Sequence, residues 1–290
     1  MMRSFLFVPA DSVKKLDKAM TSGADALIVD LEDSIAIERK ARGRNSAAAF
    51  LKDALAVKPR PFILVRVNGL QTDLTDADLD AVVPARPDGV MLPKAEGGAS
   101  VVHTGAKLAV REATNGLADG SVKILPIATE TAAALFLAGT FAGSSSRLMG
   151  LTWGAEDLSA ELGAQANRGA DGGFLDPYRL ARVLCLTAAA AAEVPAIDTV
   201  YVDFRDEKGF RRECEEACRD GFTGKMAIHP AQVSIINELF TPTAAQMEKA
   251  EAIVAAFAAN PGAGTIGIDG RMYDRPHLAR ARALLARRNI

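Results

Sequence analysis

Apolar and polar positions along the chain form two alternating kinds of stretch. Short β-branched runs closed by turn residues, at 4–8, 26–31, 62–67, 89–93, 123–128, 148–153, 199–203 and 225–228, have the length and composition of strands buried on both faces. Between them, stretches rich in Ala, Leu and Lys carry apolar residues at helical spacing, at 13–22, 37–56, 99–118, 131–142, 178–192 and 210–220. Strands of this kind alternating with helices predict a parallel sheet covered on its outside. Eight repeats in 290 residues predict an α/β fold of the (β/α)8 TIM-barrel class, with an open doubly wound sheet as the alternative.

Beyond the eighth strand, 260–270 is Gly-rich and 271–290 resumes as a basic, helical end. The expected organisation is a TIM-barrel catalytic domain over 1–259 and a Gly-rich linker with a C-terminal lid or helix over 260–290. Gly262, Gly264 and Gly267 fit G-x-G-x-x-G. A dinucleotide fingerprint needs a strand before it and an acidic partner after it, whereas here a helix precedes and the acid is missing.

Composition narrows the class of partner. Apolar residues at 49% and charged residues at 24% exclude a mainly disordered or collagen-like chain. The 34 basic and 36 acidic side chains leave a net charge of −2, so a small molecule is expected rather than a nucleic acid. The N-terminal apolar run is too short for a secretory segment and no stretch has eighteen apolar residues, which predicts a cytoplasmic protein without membrane contact. Cys185, Cys214 and Cys218 are expected as free thiols, because the pair one helical turn apart has no His or third Cys in register.

Charged and polar side chains recur at the C-terminal ends of the expected strands: Asp30, Glu32 and Asp33; Arg66 and Asn68; Lys94; Glu130; Glu156 and Asp157; Asp203; and His229. In a barrel these ends converge on one rim, where active sites sit. Each alone is explained by solvent contact or helix capping. Together, carboxylates from neighbouring strands would repel unless a cation, or Arg and Lys, neutralised them. The expected cation is Mg²⁺, with Mn²⁺ as the substitute, because the rim offers hard carboxylate oxygens and no Cys–His cluster. Arg66 suits a carboxylate or a developing oxyanion. A serine hydrolase or a P-loop ATPase is not expected, since neither motif is present. His229 is expected to fix the turn into the following helix, and Trp153, at the rim beside Gly154, either to shape the pocket or to serve as a packed aromatic.

An ordered series of motifs spans the chain: RSFLFVPA at 3–10, DLEDS at 30–34, VRVN at 65–68, LPK at 92–94, ATET at 128–131, GAEDL at 154–158, GFTGKMAIHPAQV at 221–233 and DGRMYDRP at 269–276. By these the chain resembles the citrate lyase β-subunit and malyl-CoA/citramalyl-CoA lyase family of the HpcH/HpaI aldolase superfamily. The resemblance implies Glu130 and Asp157 as Mg²⁺ ligands, and Arg66 as the residue that binds substrate and stabilises the thioester enolate. It implies that the amides near Ala155, Glu156 and Asp157 hold a substrate carboxylate. Asp274 would belong to a lid closing over a neighbouring subunit's site and act there as acid/base, in a homotrimer or multiple of trimers. Phe7 and Lys18, with Lys15 as a weaker candidate, would contact coenzyme A. Ala10 stands where the family usually has Gly, which limits backbone approach to the cofactor's phosphates.

The implied reaction is Claisen-type cleavage, or its reverse, of a 3-hydroxyacyl-CoA thioester such as malyl-CoA, citramalyl-CoA or citryl-CoA into an acyl-CoA and a short 2-oxo acid. Asp30, Glu32 and Asp33 would orient metal-bound water and Arg66. Three alternatives stand beside it: a CoA-independent metal-dependent aldolase of 4-hydroxy-2-oxo acids, a citrate lyase β-type subunit acting on acyl-carrier thioesters within a complex, and hydrolysis that releases free malate.

Overall fold

The structure is a computed structural model and describes residues 2–287; residues 288–290 of the expected C-terminal unit lie outside it. Its strands are β1 (Ser4–Pro9), β2 (Ala26–Asp30), β3 (Phe62–Arg66), β4 (Gly89–Leu92), β5 (Lys123–Pro126), β6 (Ile197–Asp198), β7 (Gly224–Ala227), β8 (Thr265–Ile268) and β9 (Arg271–Asp274). The helices are α1 (Val13–Ala19), α2 (Lys40–Ala54), α3 (Thr75–Val82), α4 (Gly97–Thr114), α5 (Ala132–Leu137), α6 (Ala155–Glu161), α7 (Asp176–Ala191), α8 (Glu207–Asp220), α9 (Pro230–Leu239), α10 (Ala244–Ala259) and α11 (Arg275–Leu285).

Seven strands form one parallel sheet in the order β5-β4-β3-β2-β1-β7-β6. Its two edges are linked by residues 147–152. Leu148 and Thr152 bridge Ile124 and Ile127 beside β5, and Leu151 bridges Ala196 beside β6, all parallel. Leu151 N donates to Pro195 O at 2.9 Å, and Ile197 N donates to Leu151 O at 2.9 Å. The expected strand at 148–153 is therefore present only as separate bridges. Gly150 explains the close approach there: a Cβ at that position would lie 2.8 Å from Ile197 Cδ1 and 3.0 Å from Pro195 O.

Side chains on the sheet alternate between two apolar clusters, as period two requires. Leu6, Val8, Leu27, Val29, Ile63, Val65, Val90 and Ile124 face the helices, while Phe5, Ile28, Leu64, Met91, Leu125 and Met226 face inward. Helices cover the outer face, so both faces exclude water and the strands read as continuous apolar runs.

The expected strand at 199–203 is a correction. The paired strand is Ile197–Asp198 and the chain then leaves the sheet, with Val202 and Phe204 exposed. Asp198 is fully buried: it accepts from Trp153 Nε1 at 2.8 Å and pairs with Lys225 Nζ at 2.7 Å, and Lys225 also reaches Glu213 at 2.9 Å. Removing one partner from such a buried set costs about 3–5 kcal/mol. Helix α3 fills the place between β3 and β4 that the alternation requires, whereas the hairpin of β8 and β9, in and beyond the stretch expected as a linker, is new. Asp269 and Gly270 turn that hairpin with φ of 48° and 74°, the two-residue geometry that Asp-Gly favours. The hairpin, α10 and α11 bury Ala250, Ile253, Phe257, Tyr273, Leu278 and Ala281 in a small core of their own. Arg287 Nη2 ties this unit to Phe240 O at 2.7 Å.

Candidate active site

The inward face of the sheet carries the first functional side chains. Phe7, Asp30 and Arg66 continue the inward-facing rows of β1, β2 and β3, and Asp30 lies directly beside Arg66 in the parallel register. Adjacency in register produces a two-pronged pair: Arg66 Nε and Nη2 donate to Asp30 Oδ1 and Oδ2, each at 2.7 Å. Arg66 Nη1 also contacts Glu32 Oε2 at 2.9 Å, and the guanidinium lies 5.0 Å from the centre of the Phe7 ring. Burial opposes ionisation of Asp30, but the Arg66 fork outweighs it and holds the carboxyl below its ordinary range. Burial likewise works against the Arg66 charge, yet Asp30, Glu32 and Asp33 keep it firmly cationic.

Three buried ammonium contacts hold the loop after β2 in shape. Lys40 Nζ donates to Leu31 O at 2.7 Å, Glu32 O at 2.8 Å and Asn68 Oδ1 at 2.8 Å. The two oxygens of Asp30 accept from Glu32 N at 2.9 Å and Ser34 N at 3.2 Å. Glu32 is thereby aimed at Lys94, whose Nζ donates to Glu32 Oε1 at 2.6 Å and lies 3.2 Å from Asp157 Oδ1. Burial raises the Glu32 carboxyl, and Arg66 and Lys94 offset this only in part.

Glu130 is almost wholly buried just after β5, and its Oε2 accepts from the Lys94 amide at 2.6 Å. Burial first, and the nearby Asp157 second, push its carboxyl well above the ordinary range. Asp157 stands in the first turn of α6 and is partly open to solvent. Gly154 lets α6 start this close: a Cβ there would lie 2.8 Å from Glu130 Cγ and 3.0 Å from Oε1. The five carboxyl groups of Asp30, Glu32, Asp33, Glu130 and Asp157 crowd around Arg66 and Lys94.

These groups open into one cavity of about 570 Å³. Phe7, Lys15, Lys18, Asp30, Asp33, Arg66, Glu130, Ala155, Glu156 and Asp157 all line it, with Met91, Ile127, Val200 and Met226 among its apolar walls. Glu32 adjoins through its contacts to Arg66 and Lys94. His229 and Trp153 also border it, and both serve the fold. His229 Nδ1 caps α9 by accepting from Ala231 N at 3.2 Å, and Trp153 anchors Asp198.

Other expected rim residues lie elsewhere. Asn68 is buried outside the sheet, donating through Nδ2 to Asp78 Oδ2 at 2.6 Å, because β3 ends at Arg66 and the chain turns outward. Asp203 sits on an exposed turn after the shortened β6, accepting from Arg205 N at 3.1 Å. Ala10 is fully buried, with its methyl toward Gly43 of α2. Asp274 caps α11: its Oδ1 accepts from His277 N at 3.3 Å and contacts His277 Nδ1 closely. That contact holds the Asp274 carboxyl below its ordinary range. The cavity of the single chain does not include it among the described residues. The sequence placed Lys94 on the rim but gave no hint of its central position, nor of the need for Gly154; the only trace was that both belong to the quoted motifs.

The donor set fits Mg²⁺. Among the described residues no group of three or more His, Cys, Asp or Glu is placed to hold an ion alone. Glu130 and Asp157 could supply oxygen donors, and Mg²⁺ is commonly held by one or two carboxylates with water and ligand oxygens completing the octahedron. A cation held by these two carboxyls would relieve the burial and the Asp157 charge that disfavour the Glu130 anion.

Comparison with known proteins is consistent along the whole chain. The profile of the HpcH/HpaI aldolase/citrate lyase family matches residues 3–230. A (3S)-malyl-CoA thioesterase from Cereibacter sphaeroides is 37% identical over 295 residues, which cover 98% of this chain and 94% of that protein. Citrate lyase subunit beta from Haemophilus influenzae is 34% identical over 287 residues, covering 98% and 96%. Among solved structures, protein CitE from Mycobacterium tuberculosis in complex with magnesium, acetoacetate and coenzyme A matches with a TM-score of 0.79 and 32% identity, covering 100% of this chain and 98% of that one.

Proposed function

The chain belongs to the HpcH/HpaI aldolase/citrate lyase family and is a lyase, and from that premise we propose that it cleaves or forms a carbon–carbon bond in a 3-hydroxyacyl-CoA thioester with the help of Mg²⁺. The sheet with its bridged edges is read as a (β/α)8 barrel whose mouth is the cavity. The observation that carries the proposal is that Glu130 and Asp157, joined through Lys94, line one cavity together with the permanently charged Arg66. Coenzyme A and magnesium accompany the matched CitE protein, which supports the same ligands here.

Glu130 and Asp157 would hold the ion, which when bound supplies Lewis-acid polarisation of a 2-oxo acid's carbonyl. Arg66 offsets negative charge developing on the thioester oxygen. Its orientation is fixed by the Asp30 fork before substrate arrives, so little reorganisation is needed. The amides of Ala155, Glu156 and Asp157 take a substrate carboxylate. Phe7 and Lys18, with Lys15 on the same helix, border the entry where a coenzyme A chain would lie. Asp274 from a neighbouring subunit, in a trimer or multiple of trimers, transfers the proton at the methyl carbon.

A second reading, hydrolysis of the thioester to free malate, is favoured by the name of the Cereibacter sphaeroides relative. Product analysis separates the two: cleavage of malyl-CoA yields acetyl-CoA and glyoxylate, whereas hydrolysis releases malate and free thiol. Glu130→Gln and Asp157→Asn are each expected to lower Mg²⁺-dependent turnover about 10³-fold or more with the thermal midpoint retained. Unchanged rates in both variants would remove the proposed mechanism.

A further inference from the structure

We propose that Lys94 is a positioning residue that acts as an internal counter-cation: its ammonium shares Asp157 with a bound divalent ion and so limits how tightly the site holds that ion. The inference rests on Glu130 and Asp157 being the metal ligands. Lys94 follows β4, and one residue touches both of them. Its amide donates to Glu130 Oε2 at 2.6 Å, while its ammonium donates to Glu32 Oε1 at 2.6 Å and lies 3.2 Å from Asp157 Oδ1.

The backbone at Lys94 is left-handed, with φ of 50°, a conformation that disfavours a residue with a side chain. Glycine would remove that cost. Lysine at this position combines an amide directed at one ligand with a charge directed at the other. The amide engages Glu130 Oε2 and leaves Oε1 for an ion. The ammonium lies 3.2 Å from Asp157 Oδ1, so like-charge repulsion would oppose tight binding of an ion on that carboxylate.

This role predicts a sign opposite to that of a merely structural one. Losing a structural prop loosens the ligands and weakens metal binding, whereas removing a competing cation strengthens it. Mn²⁺ titration followed by electron paramagnetic resonance, on the assembled protein without substrate, reads the difference. Lys94→Met is expected to bind Mn²⁺ about tenfold more tightly than the unaltered protein, and Lys94→Arg to stay within about threefold of it because the charge is kept. Lys94→Gly, which accepts the left-handed backbone freely, is the second variant should Lys94→Met not fold, and the same tightening is expected. Unchanged or weaker binding in the folded neutral variants overturns the inference about Lys94. If the unaltered protein binds no Mn²⁺, or binds it as well after Asp157→Asn, the metal reading itself fails and Lys94 loses this role with it.

Discussion

Arg66 shows how much depends on a single side chain. It uses both edges of its guanidinium on Asp30 and Glu32 while bordering the cavity, so its position is set by groups that never need to touch substrate. Lysine would keep the charge but lose the fork. Arg66→Lys is therefore expected to lower kcat by about 10²–10³-fold, with a smaller effect on KM and a preserved thermal midpoint. Steady-state kinetics on the CoA thioester checks this, and a kcat within about threefold of the unaltered protein would show that charge alone suffices. Lys40 works one step further out: it touches no ligand, yet it holds the carbonyls of Leu31 and Glu32 and so sets where the Glu32 carboxylate points.

At the scale of elements, the least regular part of the ring is secured by charge. Arg147 precedes the bridging residues 148–152, and its Nη1 and Nη2 donate to Glu112 of α4 at 2.8 and 2.7 Å. Glu112 also accepts from the amides of Gly120 and Val122. Burial disfavours its charge, but Arg147 and these amides prevail and lower the carboxyl to about 2 from an ordinary 4.5. A depressed folded-state pKa contributes stability that is fully present above the unfolded value and is lost as pH falls toward the folded one. On the order of 3 kcal/mol is thus expected to disappear between about pH 4.5 and 2. Denaturant unfolding at stepped pH should show this slope, and Glu112→Gln should flatten it. An equally steep slope in the variant would place the acid sensitivity elsewhere.

At the scale of the whole molecule, the C-terminal unit stands apart with its own small core, and Asp274 caps a helix there instead of facing the cavity of its own chain. The proposed service of Asp274 to a neighbouring subunit makes a definite prediction. Asp274→Asn and Glu130→Gln should each be inactive alone. In mixed oligomers formed after subunit exchange, sites pairing an intact Glu130 with an intact Asp274 from next door should restore about a quarter of full activity for an equal mixture. Light scattering would first establish the assembly. Mixed oligomers without recovered turnover would remove the action in trans.

The alternation of strands and helices is legible along the chain, because double-sided burial leaves long apolar runs that local patterning exposes. The sequence also marks which residues crowd the strand ends, since parallel strands deliver their C-terminal ends to one side. It misjudged 199–203, where β-branched residues of a loop imitate a strand, and 260–270, where an Asp-Gly turn was hidden by neighbouring glycines. The packed chain alone reveals that Arg66 is gripped by Asp30, that Asn68 turns outward, and that Lys94 joins Glu130 to Asp157 through a left-handed backbone. Those facts depend on register between strands far apart in the chain and on desolvation set by the packed whole, and neither quantity is present in the order of residues along one segment.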